Sequence, residues 1–184
     1  PINARRSPTV NSGDHARGRS ASKPWNSYGR SICPTFMLSK DFKEFVGSLK
    51  EHGAEYMIVS GYAVGVHGYP RYTGDLDIWL NPTPENAERV MTALREFGFG
   101  GLSITLDDLT KESNIIQLGQ PPLRIDLLMS IDGVAFAECY ANRKEVTFDG
   151  LPMNFIGYQD LVKNKKASGR HRDLDDLENM PQPE

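Results

Sequence analysis

The stretch RYTGDLDIWL, residues 71–80, combines a buried strand with two acidic side chains. Its second half has the composition of a β-strand, and side chains alternate along a strand, so Asp75, Asp77 and Trp79 are predicted to share one face. At a charge separation of about 5 Å and an effective dielectric constant near 20, the two carboxylates would repel each other by roughly 3 kcal/mol. A bound divalent cation would remove this repulsion, whereas on a solvated sheet face the pair would be merely polar.

A second apolar strand carries an acid in the same way. In LRIDLLMS, residues 123–130, Asp126 shares its face with Arg124 and Leu128. A carboxylate in such a strand is costly unless it is paired or metal-bound. If the two strands are neighbours, Asp75, Asp77 and Asp126 form a platform for two metal ions in phosphoryl or nucleotidyl transfer. We therefore predict these three aspartates as metal ligands and catalytic residues, with Mg²⁺, or alternatively Mn²⁺, as the metal.

The hydrophobic pattern of the rest of the chain predicts alternating helices and strands. Helical spacing or turn-like composition marks residues 39–53, 61–69, 83–100, 158–169 and 172–180. Strands are predicted over 55–60 and 74–80, then as a pair joined around Gly119–Pro122, and finally as a hairpin that turns at Asp149-Gly150. With one helix between the two strand pairs, the order is α-β-α-β-α-β-β-α-β-β-α-α. It predicts an α/β or α+β domain with a mixed sheet flanked by helices.

Composition bounds the class of protein. The chain has 184 residues, of which 39% are hydrophobic and 24% charged, as expected for one globular domain. Its apolar runs are too short to span a bilayer, and its two cysteines, Cys33 and Cys139, lack metal-site spacing. We therefore expect a cytoplasmic protein without a membrane partner, a zinc site or a disulfide framework.

The charge is distributed unevenly along the chain. Residues 1–33 carry six Lys or Arg and one acid, a balance of +5, which leaves −8 for the remainder of a chain whose net charge is −3. An acidic body argues against a broad nucleic-acid-binding surface. Residues 1–36 are predicted as a disordered or loosely attached basic tail, and residues 37–184 as the folded domain. Because Met37 begins a sequence typical of a natural protein start, the tail is either native or derived from upstream sequence.

The segment between the first two strands supplies candidate phosphate contacts. Gly61 directly follows a strand, where it would let backbone amides at a helix N-terminus approach a phosphate closely. Arg71 and Thr73 would hold phosphate oxygens or simply fix the loop. His67 is interpreted as a structural histidine rather than a catalytic base.

A second basic group lies near the end of the chain, in KNKKASGRHRD, residues 163–173. Lys163 and Lys166 are interpreted as a solvated helix face. Lys165 or Arg170 would reach a triphosphate if the last helices pack over the site.

Taken together, these residues resemble the bacterial nucleotidyltransferases of the DNA polymerase β superfamily, in particular the small minimal-type branch found in abortive-infection and toxin–antitoxin systems. Such proteins carry a glycine turn, an Arg-x-Thr-x-Asp-hydrophobic-Asp strand and a third acid on a later strand. The matching positions here are Gly61 with Tyr62, then Arg71, Thr73, Asp75, Asp77 and Asp126. The closing helices are also similar, through Lys165, Gly169, Arg170, Asp173 and Asp176. The resemblance covers residues 37–180.

One position departs from the family pattern. Members often place a small hydroxyl residue beside the turn glycine, whereas this chain has Tyr62 there and Ser60 ahead of the glycine. The resemblance implies Mg²⁺, an NTP donor and a nucleotidyltransferase domain over residues 37–184. The nucleotide-binding residues that it implies are Ser60, Gly61, Tyr62, Arg71, Thr73 and Lys165.

The leading hypothesis is Mg²⁺-dependent transfer of a nucleoside monophosphate from an NTP to a hydroxyl acceptor. The acceptor, which the sequence does not identify, would be a protein side chain, an RNA end or a small molecule. The alternative is a non-catalytic nucleotide-binding or interaction protein, such as one component of a toxin–antitoxin pair, with a protein partner. A glycosyltransferase that uses the Asp-x-Asp pair is the least favoured hypothesis.

Overall fold

The acidic strand predicted around Asp75 lies inside a mixed β-sheet. A computed structural model describes residues 38–120 and 123–182, and the predicted tail over residues 1–36 lies outside them. The strands in the described part are β1 (Tyr56–Ile58), β2 (Asp75–Leu80), β3 (Ile115–Gln120), β4 (Leu123–Leu128), β5 (Lys144–Phe148) and β6 (Leu151–Phe155). They form one sheet in the order β3-β4-β2-β1-β6-β5. Because β2 is parallel to β4 and β1 to β6 while the other pairs are antiparallel, the predicted mixed sheet is confirmed.

The predicted order of elements is also confirmed, with one addition. The helices in the described residues are α1 (Lys40–Glu51), α2 (Ser60–Val66), α3 (Pro84–Leu94), α4 (Leu106–Thr110), α5 (Phe136–Ala141), α6 (Tyr158–Ser168) and α7 (His171–Asn179). The sequence did not predict α4, which has five residues and is held by a capping box between Thr105 and Asp108. The helix predicted over 83–100 ends at Leu94, because the chain widens into a π-helical turn in which Gly98 has φ 104°.

Local sequence explains where the main elements begin and turn. The Ser39 side chain accepts a hydrogen bond from the backbone amide of Phe42 and so caps α1. At the hairpin between β5 and β6, Asp149 and Gly150 have φ 47° and 84°, the left-handed pair that a tight hairpin turn requires. The predicted Asp-Gly turn is therefore confirmed.

The register between β2 and β4 positions the acidic side chains. In this parallel pair Asp77 is the partner of Asp126, and Asp75 is the partner of Arg124. Paired residues point to the same face of a sheet, so the three predicted aspartates share one face, as the sequence predicted. Leu76 and Ile78 point to the opposite face and are fully buried in the core.

Trp79 continues the acidic face of β2 into the core. Its ring meets the ring of Phe136 edge-on at a centroid distance of 5.1 Å, and the side chain is buried. Burial on both faces of β2 explains why this strand is apolar everywhere except at its two aspartates. Among the described residues, no helix combines the length and the apolar character needed to cross a membrane.

An ion network joins α6 and α7 to the loop that precedes β2. Arg71 donates two hydrogen bonds to Asp176, from Nε at 2.5 Å and from Nη2 at 2.8 Å. The Lys165 ammonium donates to Asp173 and to Asp176, both at 2.7 Å. We call these four residues the closing ion network. Burial opposes ionisation of Asp176, but the hydrogen bonds from Arg71 and Lys165 outweigh it and lower the pKa of this carboxyl.

The closing ion network generates a prediction about stability. Lys165 is 1% exposed, so Lys165→Met would leave the carboxylates of Asp173 and Asp176 without one of their cations. Removal of one partner from a buried ion pair costs about 3–5 kcal/mol, and we expect that loss in the free energy of unfolding, measured by urea denaturation. The control Lys166→Met, on the exposed side of the same helix, should change it by about 0.5 kcal/mol at most. Equal effects of the two substitutions would contradict the prediction.

Candidate functional site

A cavity of about 370 Å³ lies beside the acidic face of β2 and β4. Asp77 and Asp126 line it from the sheet, Ser60 from the start of α2, and Lys165 and Arg170 from α6 and the residues that follow. We call this the site cavity. Its volume falls within the range of small-molecule binding sites. Of the predicted site residues, the remaining five are not part of its lining: Gly61, Tyr62, Arg71, Thr73 and Asp75.

Asp75, Asp77 and Asp126, which we call the carboxylate cluster, differ in burial. Asp126 is 6% exposed, whereas Asp75 and Asp77 are half-buried. The cluster therefore combines strong mutual repulsion with partial removal from water, and it requires a compensating positive charge.

Arg124 supplies that positive charge in this structure. Its Nη2 donates to Asp75 Oδ2 at 2.5 Å and to Asp126 Oδ2 at 2.9 Å. Its Nε lies 2.8 Å from Asp126 Oδ1. The hydrogen bond to Asp126 raises the pKa of Arg124 further above its usual value. Arg124 was not predicted as a functional residue, although its position two residues before Asp126 places both side chains on one face.

The Nε contact is an ion contact without a well-formed hydrogen bond. Arg124 Nε and Asp126 Oδ1 are both buried, and neither has a hydrogen-bond partner of the usual geometry among the described residues. From the neighbouring strand β3, Gln117 Nε2 lies 3.5 Å from the other oxygen of Asp126. One oxygen of the most buried carboxylate is therefore only partly satisfied by the protein.

The surroundings of Asp77 oppose its ionisation. Burial, together with repulsion from Asp75 and Asp126, raises the pKa of Asp77 to about 6. A hydrogen bond from Ser60 and the charge of Arg124 oppose this rise. Ser60 has φ 56°, a left-handed conformation that is uncommon for a residue with a side chain. The chain thus holds Ser60 in a strained position from which its hydroxyl reaches Asp77.

The first turn of α2, after Ser60, is tightly packed. A Cβ atom on Gly61 would lie 2.8 Å from Thr73 Oγ1 and 2.9 Å from Thr73 Cβ, so this contact alone requires glycine. Tyr62 is buried and its ring meets Phe42 edge-on at 6.1 Å. Burial, followed by the charge of Asp75, raises the pKa of Tyr62. Nucleotide contacts from Gly61, Tyr62 and Thr73 stay predictions.

The predicted phosphate-binding cations have different surroundings. Arg71 and Lys165 both belong to the closing ion network, so their charges are already balanced by Asp173 and Asp176. Arg170 is exposed at the site cavity, and its guanidinium has no ion-pair partner within residues 38–120 and 123–182. The sequence offered Lys165 or Arg170 as a triphosphate contact. Of these two, Arg170 is the one available to an anionic ligand.

His67 is placed as expected for a structural histidine. Its Nε2 lies 2.8 Å from the carbonyl oxygen of Ile156, and its ring meets Tyr158 edge-on. Burial lowers the pKa of His67 and so favours the neutral ring that donates to this carbonyl.

The carboxylate cluster has oxygen atoms that suit a divalent cation, and strand pairing places Asp77 beside Asp126. Carboxylate oxygens are preferred ligands of Mg²⁺ and Mn²⁺, and Asp126 Oδ1 is a buried oxygen without a hydrogen bond from residues 38–120 or 123–182. However, in the part of the chain that the structure describes, no group of three or more acidic, histidine or cysteine side chains is arranged to hold a metal ion. The oxygens of Asp75 and Asp126 are directed at Arg124 instead. A metal site here stays a prediction.

Comparison with known proteins identifies the fold. No protein-family model and no curated protein sequence matches this chain. Its structure is similar to the crystal structure of a "putative nucleotidyltransferase" from Thermotoga maritima, with a TM-score of 0.52 and 14% identity. The match covers 74% of this chain and 87% of the other. The chain has a nucleotidyltransferase-like fold. At this identity the likeness establishes the fold alone, and the minimal-type branch stays a prediction.

The raised pKa of Asp77 predicts how stability depends on pH. Because the folded protein holds this proton more tightly than the unfolded chain, ionised Asp77 destabilises the fold above about pH 6, and the penalty disappears below the ordinary pKa of 3.8. The rise of the Asp77 pKa from 3.8 to about 6 corresponds to roughly 3 kcal/mol at most. Without metal, we expect Asp77→Asn to raise the free energy of unfolding by about 1–2 kcal/mol at pH 8 and by much less at pH 4.

Chemical denaturation at both pH values, in the presence of a chelator, checks this expectation. Asp175→Asn, at an exposed position of α7, is the matched control and should show no such pH-dependent gain. A loss of stability at pH 8, or the same gain at both pH values, would show that Asp77 is not strained by its surroundings.

The packing of Gly61 generates a paired prediction. Gly61→Ala places a methyl group against Thr73 and should lower the free energy of unfolding by about 1–3 kcal/mol despite the better helix propensity of alanine. Gly47→Ala, in the middle of α1, meets no atom closer than 3.9 Å and should raise it by about 0.5–1 kcal/mol. Thermal denaturation of both variants tests the difference, and a gain for Gly61→Ala would contradict the described contact.

Proposed function

We propose that this protein transfers a nucleoside monophosphate from an NTP to a hydroxyl acceptor. The observation that carries the proposal is the pairing of Asp77 with Asp126 on neighbouring parallel strands, at the wall of the site cavity, in a nucleotidyltransferase-like fold. Carboxylates in this arrangement suit phosphoryl chemistry because they hold the cations that phosphates require.

Asp75, Asp77 and Asp126 are the residues that would hold Mg²⁺ or Mn²⁺. When bound, the metal would neutralise charge on the triphosphate and lower the pKa of the acceptor hydroxyl. Asp126 contributes a buried carboxylate with one oxygen that receives no hydrogen bond in the described part of the chain. Ser60 contributes a hydrogen bond that orients the Asp77 carboxylate. The strained backbone at Ser60 keeps this hydroxyl directed at the cluster.

Arg170 is proposed as the main phosphate contact of the protein. It lines the site cavity and has no ion-pair partner in the described residues, whereas the nearby Lys165 ammonium donates to two carboxylates. A guanidinium also matches the geometry of phosphate oxygens well. Lys165 would form part of the cavity wall without binding phosphate. Arg71 would act by fixing the loop ahead of β2.

The reaction balances without a further reactant. The acceptor oxygen forms a bond to the α-phosphorus of the NTP, the bond between that phosphorus and the bridging oxygen breaks, and pyrophosphate leaves. The hydroxyl proton passes to a base or to water. The site cavity of about 370 Å³ offers room beside the carboxylate cluster for the reacting groups.

One observation favours the second candidate, a nucleotide-binding protein without catalysis that acts with a protein partner. Arg124 balances the charge of the carboxylate cluster in this structure. If that ion pair is permanent, no metal enters and the site cavity would bind nucleotide through Arg170 alone. Metal dependence therefore separates the two candidates.

The test combines ligand binding with turnover. We expect Mg²⁺ and one NTP together to stabilise the wild-type protein, by roughly 2.7 kcal/mol when the ligand is at 100 times its dissociation constant. We expect Asp77→Asn and the double variant Asp75→Ala/Asp77→Ala to lose this response, and Asp175→Asn to keep it. Transfer of radiolabel from each α-labelled NTP to protein, RNA and small-molecule hydroxyl acceptors should follow the same pattern among the variants.

Two results would count against the enzyme. Metal-dependent binding and transfer that persist in Asp77→Asn would remove this residue from the site. Nucleotide binding that needs no metal, with no transfer to any acceptor class, would favour the non-catalytic candidate.

A further inference from the structure

Arg124 touches the carboxylate cluster at three points. Its Nη2 bridges Asp75 Oδ2 and Asp126 Oδ2, and its Nε lies against Asp126 Oδ1. Both oxygens of Asp126 are therefore within 2.9 Å of one guanidinium. These are the oxygens that a metal ligand must offer, so Arg124 and a cation compete for the same atoms.

We propose that Arg124 is the resident counter-ion of the carboxylate cluster and that a divalent cation binds there only after Arg124 has moved away. This inference rests on the metal site of the proposed function. It differs from the alternative in which Arg124 is a positioning residue that holds the carboxylates ready for the metal. The two roles predict opposite effects of removing the guanidinium on metal affinity.

Charge favours competition over positioning. A divalent cation that ligates Asp126 lies within a few ångströms of any guanidinium that still touches this carboxylate, and charges of equal sign at such a distance repel strongly in a half-buried site. Arginine cannot relieve this repulsion by losing its proton, because it stays charged throughout the working pH range. The guanidinium must therefore move.

Arg124 is also able to move. Its side chain is 30% exposed, in contrast with the 9% exposure of the Asp126 side chain that it contacts. A long, partly exposed side chain can reach solvent by rotating its stem while the strand stays in place. The Asp126 carboxylate would keep its position because β2 and β3 lie on both sides of β4.

The expected result is a gain of metal affinity in Arg124→Gln. Calorimetric titration of Mn²⁺ and of Mg²⁺, without nucleotide and at fixed salt, should show binding about tenfold to a hundredfold tighter than in the wild-type protein, because charge-assisted hydrogen bonds no longer compete. Arg124→Lys keeps the charge but not the two-nitrogen contact, so its affinity should lie between the two. Structural damage would not produce such a gain.

Arg143→Gln is the matched control. The Arg143 guanidinium lies over the ring of Tyr140 at 4.1 Å and contacts Asn154, so it is an arginine with protein contacts outside the carboxylate cluster. Its substitution should leave metal affinity unchanged. Equal or weaker metal binding by Arg124→Gln, with binding by the wild-type protein, would overturn the inference and leave the proposed function intact.

Absence of metal binding in every variant, including the wild type, would overturn both the inference and the metal-dependent function. If Arg124→Gln does not fold without its cation, Arg124→Lys decides the question. Tighter Mn²⁺ binding than in the wild type would support competition, and weaker binding would show positioning.

Discussion

The parallel pairing of β2 and β4 is the constraint on which the site depends. It places the carboxylates of Asp77 and Asp126 side by side on the face that lines the cavity, while the opposite face of β2 forms the core. The sheet cannot release these acids without losing its central strand pair. Their repulsion is therefore built into the fold and has to be balanced by whatever cation is present.

Two cationic groups balance acids on either side of the site cavity. Arg124 neutralises charge of the carboxylate cluster through partly exposed contacts, and its Nε contact with Asp126 lacks good hydrogen-bond geometry. Arg71 and Lys165 neutralise Asp176, which is fully buried and receives well-formed hydrogen bonds from both. The charge that Arg124 provides to the carboxylate cluster can be exchanged for that of a ligand, whereas the charges that Arg71 and Lys165 provide to Asp176 are part of the structure. This contrast separates the replaceable charges of the site from the fixed ones.

Sequence periodicity predicted much of this arrangement for physical reasons. Alternation along a strand predicted that Asp75 and Asp77 share one face. The Asp-Gly pair at 149–150 predicted the hairpin of β5 and β6, because both residues adopt the backbone that a tight turn requires. The sequence could not show which strands become neighbours, because pairing between distant strands depends on the whole fold. The contact of Arg124 with Asp75 follows from that pairing and was therefore missed.

Long-range ion pairs were equally invisible to sequence reasoning. Arg71 was predicted either to hold phosphate oxygens or to fix the loop, and Lys165 was predicted as a nucleotide contact from its place in the second basic group and from the family resemblance. The structure gives both a buried partner in Asp176, a residue that the resemblance placed in the closing helix without a defined contact. Arg170, which was one of two alternatives, is left as the cation without such a partner among the described residues.

The bond between Arg71 and Asp176 also joins segments that are made at different times during synthesis. The two residues are 105 positions apart, and Arg124 lies 49 positions from the Asp75 carboxylate that it contacts. All residues of β2 and β4 are present once residue 128 has been made, whereas Arg71 lacks its partner Asp176 until α7 has been made. Because synthesis runs from the N-terminus, the residues of α6 and α7 that line the cavity are made last among those of the site. The acidic strands are therefore synthesised before the helices that complete the wall of the cavity.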